Sequence, residues 1–168
     1  KVDLPKVKII GNRAFYNHQM TELYLPEAVT LGQGTFGKAD SEELSGLKTI
    51  DLPKVKNIDV WAFSNNQLKK LETSDIPSVS IISDGSFNNN QLETIDLPNI
   101  IEIRSTAFED NKLESIYLPN VKVIDEQAFS KNKSNDLKLF VSDALTKVED
   151  NIFSSSSING NIDIYNMG

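Results

Sequence analysis

The side chains best suited to binding a partner recur at one position of a short segment in which apolar and polar residues alternate. This column consists of three aspartates and three aromatic residues, namely Asp51, Asp75, Asp96, Tyr24, Tyr117 and Phe140. Carboxylates attract cationic partners, and exposed aromatic rings offer rigid contact area. Glu93 and Glu114 lie three residues before the column in two of the segments and extend its acidic edge. The pattern therefore predicts a ligand-binding face made of these residues.

Two details of the column stay open at the level of sequence. Asp3 and Asp163 fall at the same position in the first and last segments, whereas the third segment has two possible registers. If its strand begins three residues earlier, at Leu68, then Glu72 replaces Asp75 in the column. A plainer interpretation of the column is a solvated sheet face that resists aggregation. Like charges at sheet spacing repel, so stacked aspartates are expected to lower stability slightly.

The same residues do not indicate metal binding or catalysis. Calcium needs about six to eight converging oxygen ligands, and one carboxylate per turn of a flat sheet does not supply them. Carboxylate pairs at glycosidase spacing arise in any such column by construction and carry no information. A Ser-His-Asp site would depend on His18, the only histidine, which is expected to be a surface turn residue that replaces the asparagine of other repeats. We therefore predict no metal, no cofactor and no enzymatic activity.

The overall composition excludes several classes of partner. The 168-residue chain has a formal net charge of −7, and non-specific nucleic-acid binding depends on Lys and Arg, so nucleic acid is not expected as a partner. No run of about 18 apolar residues occurs, so this segment is not expected to contact a membrane. The absence of cysteine excludes disulfides, zinc–thiolate sites and thiol catalysis without fixing the cellular compartment.

The elements that must position the column are repeats of about 21 residues. All six prolines follow Leu or Ile, and the Leu, Ile or Val slots at 4, 25, 52, 76, 97, 118 and 141 are 21, 27, 24, 21, 21 and 23 residues apart. Seven of the eight phenylalanines fall in a second slot, namely Phe15, Phe36, Phe63, Phe87, Phe108, Phe129 and Phe153. One repeat cannot bury its own apolar face, so successive coils are expected to stack with these rings in register.

The local pattern assigns a structure to each part of the repeat. Apolar residues alternate before the proline, as in Ile95 and Leu97, which indicates a half-buried strand that the proline then ends. The next apolar residues are three apart, as in Ile100 and Ile103, and predict a tight turn or a short 3₁₀ segment. An asparagine three residues after the Phe, such as Asn111, is expected to occupy a turn position because Asn tolerates a left-handed backbone.

This order of strand, Pro, Val, Ile, Ala, Phe and Asn resembles the BspA-like class of leucine-rich repeats, and the resemblance covers essentially the whole chain. It implies an α/β-type leucine-rich repeat: a right-handed curved solenoid with a parallel β-sheet on the concave side and short 3₁₀ or irregular segments on the convex side. Trp61 is expected to pack on the convex side rather than to form a ligand platform. Proteins of this class occur mainly on bacterial surfaces, where their usual role is adhesion or recognition.

The chain is expected to form one domain over residues 1–168 with about seven to eight turns. Because Val2 and Leu4 already occupy core slots, the segment is expected to belong to a longer surface protein. The predicted function is a non-enzymatic recognition or adhesion module, extracellular and on the bacterial cell surface, which binds a host or cell-surface protein or glycan through its concave face. The alternative is a structural spacer that holds another domain away from the cell wall.

Overall fold

The computed structural model describes residues 4–39 and 46–168, so Val2, Asp3 and residues 40–45 of the largest insertion lie outside the described residues. Seven short strands occur near the Leu, Ile or Val slots, and we call them the main sheet. They are β2 (Glu22–Tyr24), β4 (Thr49–Asp51), β6 (Lys70–Glu72), β8 (Thr94–Asp96), β10 (Ser115–Tyr117), β13 (Leu137–Val141) and β16 (Ile162–Asn166). The alternating pattern explains them, because in β8 the middle residue Ile95 is buried while both of its neighbours are exposed.

The main strands pair in parallel with the repeats in register. Ile95 of β8 lies beside Ile116 of β10, which lies beside Leu139 of β13. All three side chains are at most 2% exposed. A shift of one residue would turn these side chains to solvent, so the buried aliphatic residues fix the register. The repeat predicted from sequence is confirmed.

A second set of parallel strands lies where the sequence predicted only a tight turn or a 3₁₀ segment. These strands have two residues each: β1 (Ile9–Ile10), β3 (Thr30–Leu31), β5 (Asn57–Ile58), β7 (Ile81–Ile82), β9 (Glu102–Ile103), β11 (Val123–Ile124) and β14 (Lys147–Val148). A third, two-stranded sheet is formed by β12 (Lys133–Ser134) and β15 (Ser157–Ile158). A strand of two residues is too short to show an alternation of apolar and polar residues in the sequence. These strands form only by pairing with the neighbouring coil, as where Ile82 of β7 lies beside Ile103 of β9.

The phenylalanines form a continuous spine beside the two strand ladders. Seven rings stack from Phe15 to Phe153, and neighbouring centroids are 5.3 to 5.8 Å apart. The five inner rings, from Phe36 to Phe129, are fully buried. Offset stacking at this distance is a favourable geometry for aromatic pairs. The predicted hydrophobic spine is therefore confirmed.

The asparagines after the spine are buried, which corrects the expectation that they occupy left-handed turns. Asn111 is 2% exposed. Its Nδ2 donates to Phe108 O in its own coil and to Phe87 O in the preceding coil, both at 3.1 Å. Its Oδ1 accepts from Leu92 N at 3.0 Å. The left-handed residue is the one before it, Asp110, with φ of 51°. Each such asparagine therefore bonds two coils together.

The strand ladders are interrupted between the coils that contain β4 and β6. Among the described residues β4 pairs with β2, β6 pairs with β8, and no ladder joins β5 to β7. At this boundary the repeat is three residues longer than the basic unit. The spine crosses the boundary without a gap, since Phe63 and Phe87 are 5.4 Å apart. The extra residues are therefore absorbed at the strands and not at the spine.

Residues 4–39 and 46–168 contain no helix, and the seven main strands delimit about six turns of a parallel β-solenoid. The α/β designation is therefore wrong for this part of the chain, because its coils return through short strands and turns instead of helices. A search of these residues for a helix that is long and apolar enough to cross a membrane found none.

Candidate ligand-binding face

The solvent side of the main sheet carries the predicted column, with two changes of membership. Tyr24 pairs with Asp51 on one side of the ladder interruption. On the other side the column is Glu72, Asp96, Tyr117, Phe140 and Tyr165. We call the residues on both sides of the interruption the column face. Glu72 and Tyr165 belong to it, whereas the sequence placed Asp75 and Asp163 there.

Asp75 is displaced because the strand of its coil begins early, in the alternative register. Glu72 lies beside Asp96, and Asp75 follows in a turn where its Oδ2 accepts from Glu72 N at 2.9 Å. Its backbone carbonyl accepts from Leu52 N of the preceding coil at 2.9 Å. Because of the three extra residues, Asp75 is hydrogen-bonded to the preceding coil, whereas Glu72 pairs with the following coil. Burial raises the pKa of the Asp75 carboxyl above its ordinary value, so this group holds the turn at some electrostatic cost.

Three aromatic rings lie next to one another at the far end of the column face. The rings of Phe140 and Tyr165 stack with centroids 4.8 Å apart, and those of Tyr117 and Phe140 are 6.4 Å apart. Tyr117 is 38% exposed and Tyr165 is 42% exposed. We call these three residues the aromatic platform. The arrangement gives a rigid surface on which an apolar group of a ligand can rest.

The sequence interpretation missed Tyr165 because it aligned Ile164 with Val141, which shifts the last strand by two residues. In β16 it is Asn166 that pairs with Val141 of the seventh slot, whereas Ile164 pairs with Leu139. Asp163 consequently lies beside Lys138, outside the column. The available signal was distance, since Tyr165 follows Phe140 by 25 residues, within the range of the other repeats.

The remaining predicted residues lie on two separate surfaces. Asp51 and Asp96 lie on the column face as expected, with exposed side chains. Glu93 and Glu114 precede β8 and β10 and line a separate surface cavity of 410 Å³. Lysine side chains share the lining of that cavity, so the two glutamates do not add to an uninterrupted acidic edge.

The described residues do not bring together a metal-binding cluster. Among them no group of three or more His, Cys, Asp or Glu side chains could hold a metal ion. His18 takes the place of the asparagine of other coils, as predicted, but it is half-buried and bonded to the backbone instead of being a surface turn residue. Its Nε2 lies 3.1 Å from Phe36 O, and its Nδ1 accepts from Met20 N at 3.1 Å. Both ring nitrogens therefore serve the backbone, which is a structural role and not a nucleophile-activating one.

The His18 ring predicts a pH dependence of stability. Burial lowers the pKa of His18 below its ordinary value, as does the nearby charge of Lys38, while the hydrogen bond to Phe36 acts in the opposite direction. The unfolded chain then binds more protons than the native chain as the pH falls below about 6.5. The contribution of His18 to the free energy of unfolding is fully present above that pH. It is lost as the pH falls through the lowered pKa of the native state.

We expect the urea midpoint of unfolding to fall between pH 7 and pH 5, and to fall less in a His18→Asn variant. Asparagine is the residue found at this place in other coils and does not titrate in this range. Equal pH dependence in both proteins would contradict the assignment to His18.

Comparison with known families agrees with the geometry. A family model described as "BspA type Leucine rich repeat region (6 copies)" matches residues 8–136 and 69–166. The chain belongs to this family. Searches of curated proteins and of solved structures found no match. BspA-type repeats are scaffolds for recognition of other molecules and are typically not enzymes, which agrees with a solenoid whose polar side chains line an open face.

Proposed function

We propose that this BspA-type repeat domain is a non-enzymatic recognition module of the bacterial cell surface, which binds a protein or glycan through the column face. The observation that carries the proposal is the aromatic platform of Tyr117, Phe140 and Tyr165. Exposed rings at adjacent positions are unfavourable in free energy because they hold apolar surface in water, and they do not contribute to the buried spine. Aromatic anchors of this kind dominate the energy of many interfaces.

The charges of the column face favour a protein partner with a cationic surface. Asp96 and Glu72 lie on the strands next to the platform, and the chain as a whole carries a charge of −7. Complementary charge speeds association and orients the partner, while the rings supply the buried contact. Lys70 reduces this effect locally, since its Nζ is 3.2 Å from Glu72 Oε1 in an exposed ion pair.

The platform is tested by binding of the domain to immobilised host surface proteins and to a glycan array. A Tyr117→Ala, Phe140→Ala double variant is expected to lose at least tenfold in affinity for any ligand so found, which corresponds to about 1.4 kcal/mol or more. Ile81→Ala is the matched control, because Ile81 is also 38% exposed but lies in the second ladder. Equal affinity of the double variant and the control would refute the column face as the binding surface.

A charge test separates a protein partner from a neutral glycan. Asp96→Asn should lower the association rate of a cationic protein and reduce its dependence on salt, since steering acts on the encounter. The rate constants are measured by surface plasmon resonance at two salt concentrations. A ligand whose rate responds to neither salt nor Asp96→Asn would contradict the assignment of a cationic protein.

A further inference from the structure

A second site lies at the turns that follow the second ladder, apart from the column face. A cavity of 250 Å³ opens there, and its lining includes Arg13, Tyr16, Trp61, Asn65 and Asn88. The lining as a whole comes from four consecutive coils, so stacking of the repeats brings these residues together. The cavity combines two cationic side chains, two aromatic rings and amide groups. It was not foreseen from the sequence, which assigned Trp61 to convex-side packing.

Trp61 is exposed although its surroundings hold it firmly. Its side chain is 46% exposed, and its φ of 56° is a left-handed backbone that costs a residue with a Cβ about 1 kcal/mol or more. The equivalent position in the next coil is Gly85, where a Cβ would overlap the indole ring. The glycine therefore makes room for the indole to lie across the next coil. The same left-handed φ occurs at the equivalent position of other coils, as at Arg13 and Thr106, so it belongs to the repeat. The glycine is the feature that leaves room for the indole at this surface.

Arg13 provides a cation beside this surface. Its guanidinium lies 5.6 Å from the centroid of the Tyr16 ring, in cation–π contact. No carboxylate within residues 4–39 and 46–168 forms an ion pair with Arg13, and no acidic residue among them lines the cavity. In a chain of net charge −7 this is an unusual local environment. It favours an anionic ligand group, above all a carboxylate, which guanidinium binds with two parallel hydrogen bonds.

Asn88 supplies a hydrogen-bond acceptor that the protein itself does not use. Its Oδ1 is buried and has no partner in the part of the chain that the structure describes. An unpaired buried acceptor is costly unless a donor reaches it from the ligand or solvent. The neighbouring Asn65 is already engaged, because its Nδ2 donates to Lys38 O at 2.8 Å. Asn88 Oδ1 is therefore an acceptor that a ligand hydroxyl satisfies only when the amide turns toward the cavity.

We infer that this cavity binds a carboxylated pyranose, that is, a uronic acid unit of an acidic polysaccharide. The apolar C–H face of the sugar ring rests on the Trp61 indole and the carboxylate pairs with Arg13. A ring hydroxyl donates to Asn88 Oδ1 once the Asn88 amide has turned toward the cavity. Each group of the sugar meets a side chain of matching chemistry, and a cavity of 250 Å³ accommodates one sugar ring. The site is independent of the column face.

Trp61 is the only tryptophan of the chain, so its fluorescence reports on this cavity alone. Sodium glucuronate is titrated into the domain, with glucose and sodium acetate as separate probes. The inference expects a saturable change with glucuronate, a response to glucose at least tenfold weaker in affinity, and no saturable change with acetate. An absence of saturation with glucuronate, or equal affinity for glucose, would overturn it.

Two variants test the roles of the side chains. Arg13→Gln is expected to weaken glucuronate binding at least tenfold, whereas Lys48→Gln removes the same charge from an exposed residue elsewhere and should leave the titration unchanged. Gly85→Ala displaces the indole and should also abolish the saturable signal. Circular dichroism establishes that each variant is folded. Glucuronate binding that survives in folded Arg13→Gln, or that falls equally in Lys48→Gln, would refute the carboxylate contact.

Discussion

Replacing Phe108 by alanine is expected to lower the free energy of unfolding by about 3 to 5 kcal/mol. The ring is fully buried and stacks between Phe87 and Phe129, with both centroids 5.8 Å away. The coils above and below hold the backbone in place through their own ladders, so the cavity left by the ring cannot collapse fully. Urea unfolding followed by circular dichroism gives the difference between the variant and the parent protein.

Phe15→Ala is the control for the spine. Phe15 is only partly buried, and Phe36 is its one stacking neighbour in the described residues. We expect this variant to lose clearly less stability than Phe108→Ala. A cost below about 1 kcal/mol for Phe108→Ala would contradict a buried spine, because removal of a fully packed aromatic ring costs several times that amount.

Asn111→Ala is expected to cost about 1 to 3 kcal/mol, even though it removes a polar side chain. The variant leaves the buried Leu92 N without its hydrogen-bond partner, which is Asn111 Oδ1. Phe87 O and Phe108 O each lose one of two bonds and keep the other, from Asn90 Nδ2 and Asn132 Nδ2 respectively. Thermal and urea unfolding measure the loss.

Asn120→Ala is the matched control for the asparagine ladder. Asn120 is exposed, and its Nδ2 makes one bond, to Pro98 O at 2.9 Å. Its removal should change stability by less than about 1 kcal/mol, since water can replace the lost bond. Similar losses in both asparagine variants would show that the buried ladder does not connect the coils as described.

These two predictions concern the features that cross the ladder interruption. Stability in a solenoid depends on contacts between neighbouring coils. Between β4 and β6 the spine continues through Phe63 and Phe87, whose rings stack. The row of buried asparagines also continues there, since Asn90 Nδ2 donates to Phe63 O at 3.0 Å. The spine and the asparagines therefore couple the coils where the strands do not pair, together with backbone bonds such as those from Trp61 N to Asp84 O and from Phe63 N to Ser86 O.

Much of the candidate site followed from the sequence wherever the alternating pattern favoured one register. Asp96, Tyr117 and Phe140 were placed on one face because alternation in short strands leaves a single register that buries Ile116 and its neighbours. The prediction was wrong in two coils, those of Asp75 and Asp163. There the pattern allows two registers, and pairing with the adjacent coil selects between them.

The short second strands and the buried asparagines could not be predicted from one coil. The two-residue strands exist only because a neighbouring coil pairs with them, as β7 does with β9. Asn111 is equally compatible with a turn on the surface and with a bridge in the interior. Its burial depends on Phe87 and Leu92, which come from the preceding coil.

The sequence by itself determined the solenoid, its spine of phenylalanines and the main strands. Each of these depends on a periodic pattern of apolar residues that can be buried in only one arrangement. Only the tertiary structure decided which polar residues share a surface. It placed Tyr165 beside Phe140, removed Asp75 from the column, and assembled Arg13, Trp61 and Asn88 into one cavity. The physical reason is that contact between coils depends on how insertions are absorbed and on the hydrogen bonds of adjacent coils, which a single repeat does not encode.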